Sequence, residues 1–374
     1  MSEISPSQQW LLVYFPFLQL HEPVAIGPWE LRSSKHLQGM WNSPDVKKAA
    51  TRFIGKHRTA LGQRLDSMTI VTRDGRAVHS GPGPGDEELH ALEAAMTCAV
   101  LAANPPWSPE TESASWRIST SDNTVLRATW LDLSSQWFAT ERGSLVRTLS
   151  GGHRLDRPTD YIAAPLELHL PSSSRIDSDT AQAAYDTLLH GDPDLSTCLL
   201  TSIRWLAQAW ANSPSIDSNI RIVAIRSGLE VWLDKQNAWD QARALRKRFE
   251  RLTELFSGDS FATVWSPSES KSLQIEVGAN LKPATPLEHW YVHLSRHRNA
   301  TVHDAAEPAA ETYEAGTGYD GPLFWTGERV LRDLLRTELT IATGEPLVFD
   351  GIGRALRRPG VLAELRAAPE ADES

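Results

Sequence analysis

The chain has 374 residues, of which 41% are hydrophobic and 22% charged, with 14 tryptophans against 4 methionines. At roughly 150 residues per domain this length predicts two domains, and the apolar content excludes a largely disordered chain. A formal charge of −10 excludes a globally basic nucleic-acid binder or a polybasic membrane protein, and confines any RNA contact to a local patch. Two cysteines, Cys98 and Cys198, lie far apart in sequence, which fits neither a disulfide framework nor a cysteine-based zinc site and points to a reducing cytosol. No basic region precedes an apolar stretch at the N-terminus, and no apolar run reaches the roughly 18 residues of a membrane span. The expectation is a cytoplasmic protein with no membrane partner.

From Trp10 to Arg32, short apolar runs (Leu11–Phe17 and Val24–Ile26) are broken by Pro16, Pro23 and Gly27-Pro28, the punctuation of strands and turns. Residues 44–66, with Val46, Ala49, Phe53 and Leu61 amid Lys and Arg, predict a helix, and 68–73 predict a strand closed by Asp74-Gly75. The Gly/Pro alternation from Gly81 to Gly85 has no Lys-Ser/Thr after it, so it reads as a linker rather than a phosphate loop, ahead of a helix at 86–101. Between 114 and 171, β-branched and aromatic runs at Trp116–Ser119, Val125–Leu133, Trp137–Ala139, Leu145–Leu149 and Tyr161–Leu170 predict three or more strands. A helix at 178–189 ends at His190-Gly191, where the domain boundary is expected.

Successive helices follow. Asp192-Pro193 supplies an N-cap and a first-turn proline for a helix whose apolar face is Leu199, Ile203, Leu206, Ala207 and Trp210. A second helix after Asp217-Ser218 carries Ile222, Ile225, Leu229 and Trp232, and a third carries Ala242, Leu245, Phe249, Leu252 and Phe256. Residues 258–284 are irregular apart from a short strand at Leu273–Val277. Thr285-Pro286-Leu287-Glu288 is a capping box with proline at the first helical position, the clearest local signal in the chain. A last helix at 325–342 carries Val330, Leu331, Leu334, Leu335 and Leu339, and the tail from Pro359 is Ala- and Glu-rich. No internal repeat is present.

Most catalytic signatures are missing: no G-x-S-x-G elbow, H-E-x-x-H, C-x-x-C, Walker loop or EF-hand loop occurs. One G-x-G-x-x-G match, Gly316 to Gly321, follows an Ala/Glu-rich loop and is succeeded by Pro322, so it lacks the strand and helix of a dinucleotide site. His79, His153 and His169 are scattered and read as structural or exposed. Four of the 12 histidines, however, fall between 289 and 303. At about 100° per residue, Leu287, Trp290, Tyr291, Leu294, Arg298 and Thr301 share the core face of this helix. A core-facing Arg298 calls for an anionic partner, either Glu230 from the second helix or a ligand phosphate, unless it reaches solvent. His289, His293 and His297 recur every four residues, a spacing compatible with a metal ion, but with no evident third ligand a solvated, tryptophan-flanked face is the favoured reading. Neither a metal nor another cofactor is expected.

Arg298-Asn299-x-x-x-His303 resembles the R-x4-6-H motif of the HEPN superfamily. Its surroundings resemble the ApeA-like HEPN family: a helix with a Leu-Glu pair (Leu229-Glu230), a long basic helix (Arg243 to Arg251), the motif helix and a closing helix. The resemblance covers about residues 195–342. Together with the strand-rich first half, the expectation is an α+β chain in which a β-rich N-terminal domain (1–190) precedes an all-α HEPN-type bundle (191–345) and a short tail (346–374), the resemblance implying a sensing or regulatory role for the first domain. It further implies a metal-independent endoribonuclease of antiphage defence, acting on host or phage RNA, tRNA included, as a homodimer with a composite site and a phage-derived trigger. His303 would be the general acid or base, Arg298 would stabilise the phosphorane, and Asn299 would bind phosphate or orient His303. Asp304 stands where family members often have Gly, and either orients His303 or repels RNA. An ideal helix sets His303 about 140° from Arg298 and closer to Arg296, which makes Arg296 an alternative catalytic arginine unless the helix unwinds near Asn299. Arg243, Arg246 and Lys247 either line an RNA groove or form a solvated face. The alternative function is a non-catalytic RNA- or partner-binding module on the same bundle.

Overall fold

A buried antiparallel sheet organises the first half of the chain. In the computed structural model the described residues are 10–16, 18–20, 22–41, 43–55, 57–58, 64–65, 67–80, 85–103, 125–130, 139–140, 161–162, 176–210, 218–233, 237–255, 273–304, 311–316 and 320–344. The strands are β1 (Trp10–Phe15), β2 (Val24–Ile26), β3 (Trp29–Ser33), β4 (His57–Arg58), β5 (Thr69–Thr72), β6 (His79–Ser80), β7 (Leu126–Trp130), β8 (Ala139–Thr140) and β9 (Tyr161–Ile162). The sheet runs β2-β3-β5-β1-β7-β8, every neighbour antiparallel, and β6 pairs with the start of β1. β1 is central, with Val13 opposite Val71 on one side and Arg127 on the other. Leu11 to Phe15 are all buried, which is why this strand reads as a continuous apolar run and not as an alternation. A two-residue parallel pair, β4 with β9, lies apart from this sheet.

Helix α1 (Pro44–Ile54) covers one face, bringing Val46, Ala50 and Phe53 against Leu12, Tyr14 and Ile70. It is shorter than the 44–66 expected. Gly55 caps it, and the ring Nδ1 of His57 lies 3.2 Å from the Phe53 carbonyl, supplying a partner to a terminal acceptor of the helix. Helix α2 (Asp86–Ala103) follows, and Asp86 of its first turn pairs with Arg127 of β7 at 2.8 Å. Burial pushes the Cys98 thiol up to about 12, so it stays protonated and is no nucleophile near neutral pH. Helix α3 (Ser178–His190) docks on the β2–β3 hairpin, where Trp29 Nε1 donates to Tyr185 Oη at 3.0 Å and the Gly27 amide donates to Gln182 at 2.7 Å. Gly27 has φ +55°, and a Cβ there would meet the Tyr185 ring at 2.3 Å, so both conformation and space demand glycine.

The remaining elements are α4 (Pro193–Trp210), α5 (Ser218–Glu230), α6 (Ala238–Leu255), β10 (Leu273–Val277), β11 (Asn280–Ala284), α7 (Pro286–Asn299), β12 (Thr312–Tyr313), β13 (Gly321–Pro322) and α8 (Leu323–Thr343). The chain is α+β and divides into two compact units, one holding β1–β9, α1 and α3, the other α5–α8 and β10–β13; α2 and α4 contribute residues to both. The second unit is not purely helical as expected, because β10 has an antiparallel partner in β11. Strand β11 carries Pro283, which a two-stranded ribbon tolerates at its edge and which masks the strand in the sequence. The anticipated apolar stripes are buried at Ile222, Ile225 and Leu229 of α5, at Trp232 in the turn after it, and at Val330, Leu331, Leu334, Leu335 and Leu339 of α8. On α6, Ala242 and Leu245 are buried while Phe249 is only half-buried.

Helices α5 and α8 approach through reciprocal glycines: a Cβ at Gly228 would lie 2.8 Å from Leu331 Cδ2, and one at Gly327 would lie 2.8 Å from Ile225 Cγ2. Ser202 Oγ donates to the Gly228 carbonyl at 2.9 Å, fixing a segment of α4 on the same spot. Among the described residues no helix is long and apolar enough to cross a membrane. The strand runs expected at Trp116–Ser119 and Leu145–Leu149, most of Tyr161–Leu170, the Phe256 end of the third helix and the tail lie outside the described residues. Gly228→Ala is expected to destabilise the protein by about 1–3 kcal/mol, because the added methyl drives the buried Leu331 side chain from its place at the helix crossing; urea unfolding of the variant against the parent measures it.

Candidate functional site

Helix α7 is fixed at its start by the capping box. Thr285 Oγ1 accepts from the Glu288 amide at 3.3 Å, and Glu288 Oε2 accepts from the Thr285 amide at 2.8 Å. The second oxygen of Glu288 accepts from Arg246 Nε at 2.9 Å, so a capping residue also clips α7 to α6. Leu287, Trp290, Tyr291 and Leu294 are buried, as the periodicity requires, and this face runs on to Arg298, which is half-buried. Arg298 Nη1 donates to Asn299 Oδ1 at 3.1 Å, and Asn299 itself is exposed. Arg296 is exposed on another side, where its Nη2 donates to the Glu276 carbonyl of β10 at 3.1 Å.

Beyond Asn299 the α-helix widens into a π-helical turn, Ala300–Asp304. Thr301 Oγ1 donates to the His297 carbonyl at 3.0 Å, and the Ala300 amide is shared between the Arg296 and His297 carbonyls, so the regular ladder is already perturbed there. A π turn closes i→i+5 hydrogen bonds and advances less per residue than the about 100° of an α-helix, so it narrows the about 140° between Arg298 and His303 that regular geometry gives. The side chains of His303 and Asp304 lie outside the described residues.

Helices α5, α6 and α7 share a buried polar cluster centred on Arg226, a residue that no sequence motif marks. Arg226 of α5 is 4% exposed. Its Nε donates to Ser295 Oγ at 3.0 Å, its Nη2 donates to Gln241 Oε1 at 2.6 Å, its Nη1 is 2.9 Å from Glu230 Oε1, and its guanidinium stacks 4.6 Å from the Tyr291 ring centroid. Burial, and secondarily the Arg298 charge, hold its proton affinity below the usual arginine range, while Tyr291 and Glu230 oppose this. Glu230, one of the two anionic partners considered for Arg298, thus forms an ion pair with Arg226. The signal for Arg226 was present: it occupies a core position between Ile222, Ile225 and Leu229, with Glu230 four residues on. Among the described residues the buried Tyr291 hydroxyl has no hydrogen-bond partner, and burial pushes its ionisation well above the usual phenol range.

The three histidines do not share one solvated face, which corrects the favoured reading. His289 Nδ1 lies 2.8 Å from Tyr313 Oη and the His293 ring meets Tyr313 edge-on at 5.5 Å, whereas His297 is fully buried with Nε2 3.0 Å from Asn219 Oδ1 of α5. Each step of four residues turns the helix by about 40°, enough over two steps to send His297 to a different neighbour. Burial, His293 and Arg296 together lower the proton affinity of His289. No group of three or more metal-ligating side chains exists among the described residues.

On α6, Arg243 and Lys247 are exposed, but Arg246 is held by Glu288 at 2.9 Å and Glu250 at 2.5 Å. Its neighbour Arg248 is likewise held by Glu338 of α8 at 2.7 Å. Comparison with protein-family models, curated proteins and solved structures finds no match. Replacing Tyr291 by Phe keeps the ring under Arg226 and removes a buried hydroxyl that has no partner; stability is expected to hold or rise by about 1 kcal/mol, against the loss a buried hydroxyl in a hydrogen bond would cause. Thermal unfolding of the variant decides.

Proposed function

We propose that the chain is a metal-independent endoribonuclease of the HEPN type, acting in the cytosol in antiphage defence on host or phage RNA. The observation that carries this reading is the Arg298–Asn299 pair at the end of α7, followed by a π-helical turn that contains His303. In the proposed reaction His303 removes the proton of a ribose 2′-hydroxyl, the 2′-oxygen bonds to phosphorus, and the bond from phosphorus to the 5′-oxygen breaks. The proton taken up by His303 then passes to the leaving 5′-oxygen, giving a 2′,3′-cyclic phosphate and a 5′-hydroxyl. Arg298 stabilises the charge that builds on the phosphorane, and Asn299 holds a phosphate oxygen or orients His303. Arg296 is the lesser candidate for the arginine, since its guanidinium is engaged with β10. Two copies pair to complete the site, the β-rich half senses a phage-derived trigger, and Asp304 tunes His303.

A specific observation favours a second reading, a non-catalytic RNA- or partner-binding module. The arginines of α6 nearest the core are neutralised by Glu288 and Glu338, leaving Arg243, Lys247 and Arg251 as the exposed cations among the described residues of that helix, on a chain of formal charge −10. Incubation of purified parent, His303→Ala and Arg298→Ala, each folded by circular dichroism, with end-labelled tRNA and mRNA in excess EDTA separates the two. Cleavage by the parent with 5′-hydroxyl ends, reduced at least about a hundredfold in both variants, is the expected result. RNA left intact by all three, with binding retained, establishes the module.

A further inference from the structure

The structure holds a candidate for a backing group behind the proposed arginine. Arg226 is almost wholly buried, yet it reaches three helices at once: Glu230 on its own α5, Gln241 on α6, and Ser295 and Tyr291 on α7. Ser295 and Tyr291 stand one and two turns before Arg298 and Asn299, on the stretch of α7 that aims them. Arg298 is near enough to act on Arg226, lowering its proton affinity alongside burial and against Tyr291 and Glu230. We propose that Arg226 is a positioning residue of this site: its planar fork holds the last turns of α7 in register, and its permanent charge behind Arg298 strengthens the field met by an RNA phosphodiester. The proposal rests on the reading of Arg298 as a phosphate-binding residue.

The chemistry requires arginine. A guanidinium presents donors in one plane to Ser295, Gln241 and Glu230 together and keeps its charge when buried, whereas an ammonium makes no such fork and loses its proton in a desolvated site. The charged and titratable groups facing position 226 are Glu230 on the same helix and Tyr291 and Arg298 from α7; Gln241 from α6 and Ser295 from α7 are neutral. Burial, the largest influence at this position, disfavours a protonated lysine, with Arg298 on the same side and Tyr291 and Glu230 against them. Arg226→Lys therefore converts a constant charge into one that titrates.

Fluorescence anisotropy of a labelled 2′-O-methyl oligoribonucleotide, which has no 2′-hydroxyl nucleophile, reads binding apart from cleavage. The parent is expected to bind, and Arg298→Ala to weaken binding by about tenfold. Arg226→Lys is expected to bind within about threefold of the parent at about pH 6 and about tenfold more weakly than the parent at about pH 9, the ratio following loss of the lysine proton. A merely structural role gives a ratio that does not change with pH, and that result, or parental affinity throughout, overturns the proposal, as does a parent that fails to bind. Ser295→Ala, which releases Nε and keeps the charge, is the second variant: about threefold weaker binding is expected, and unchanged binding counts against positioning. The pH-dependent ratio together with no cleavage of ordinary RNA removes the ribonuclease reading and leaves Arg226 in its role; cleavage with a flat ratio does the reverse.

Discussion

A guanidinium placed inside a helical unit has to be met by partners, and the helices around Arg226 are arranged to meet it. Moving an unpaired charge out of water costs at least several kcal/mol, far more than the roughly 1 kcal/mol that a typical hydrogen bond returns. Arg226 is compensated by a carboxylate from its own helix, an amide oxygen from α6, a hydroxyl from α7 and the face of an aromatic ring. Each partner comes from a fixed position, so helices α5, α6 and α7 cannot slide past one another without breaking the set. Such a cluster adds little net stability, and its consequence is registry.

The same device recurs along the unit. Glu288 serves both as the capping residue of α7 and as the partner of Arg246, and Glu338 draws Arg248 from α6 to α8. Glu328 and Arg332 form a buried pair one turn apart on α8, where burial raises the proton affinity of the carboxyl and Arg332 opposes it. These clips change the meaning of the basic helix. Side chains that in sequence look like a cationic surface are, in good part, the inner partners of buried acids. What remains outward on the described part of α6, including Arg243 and Lys247, is a smaller patch than its composition suggests.

Helix α7 concentrates these constraints. Its N-terminus is held by the capping box, its middle by Trp290, Tyr291 and Leu294 in the core, and its end by Arg226 through Ser295. A helix anchored so thoroughly up to Ser295 can break its own ladder a turn later, and the π-helical turn after Asn299 is where it does so. The irregular turn follows the residue pair whose placement matters most to the proposed chemistry. Regular α geometry would have carried His303 away from Arg298, and the wider turn narrows that separation.

Much of the framework was legible from local pattern, because periodicity and capping act within one or two turns of chain. The Thr285–Glu288 box, the Asp192 cap, the stripes of α5 and α8, and the strand Val24–Ile26 all obey such short-range rules. Less was legible where a distant residue intervenes. The end of α1 depends on a histidine ring meeting the Phe53 carbonyl, and β11 pairs despite Pro283 because β10 runs beside it. The candidate site divides in the same way: its motif residues, spacing and core-facing stripe could be read directly, whereas the burial of His297 against Asn219 and the commitment of Arg246 to Glu288 could not. The sequence by itself determined which segments are helices, which faces they bury and which residues carry the R-x4-6-H pattern. Only the tertiary structure decided which charges are spent on one another and where α7 leaves α-helical geometry, because ion pairing and register depend on side chains brought together from tens of residues apart.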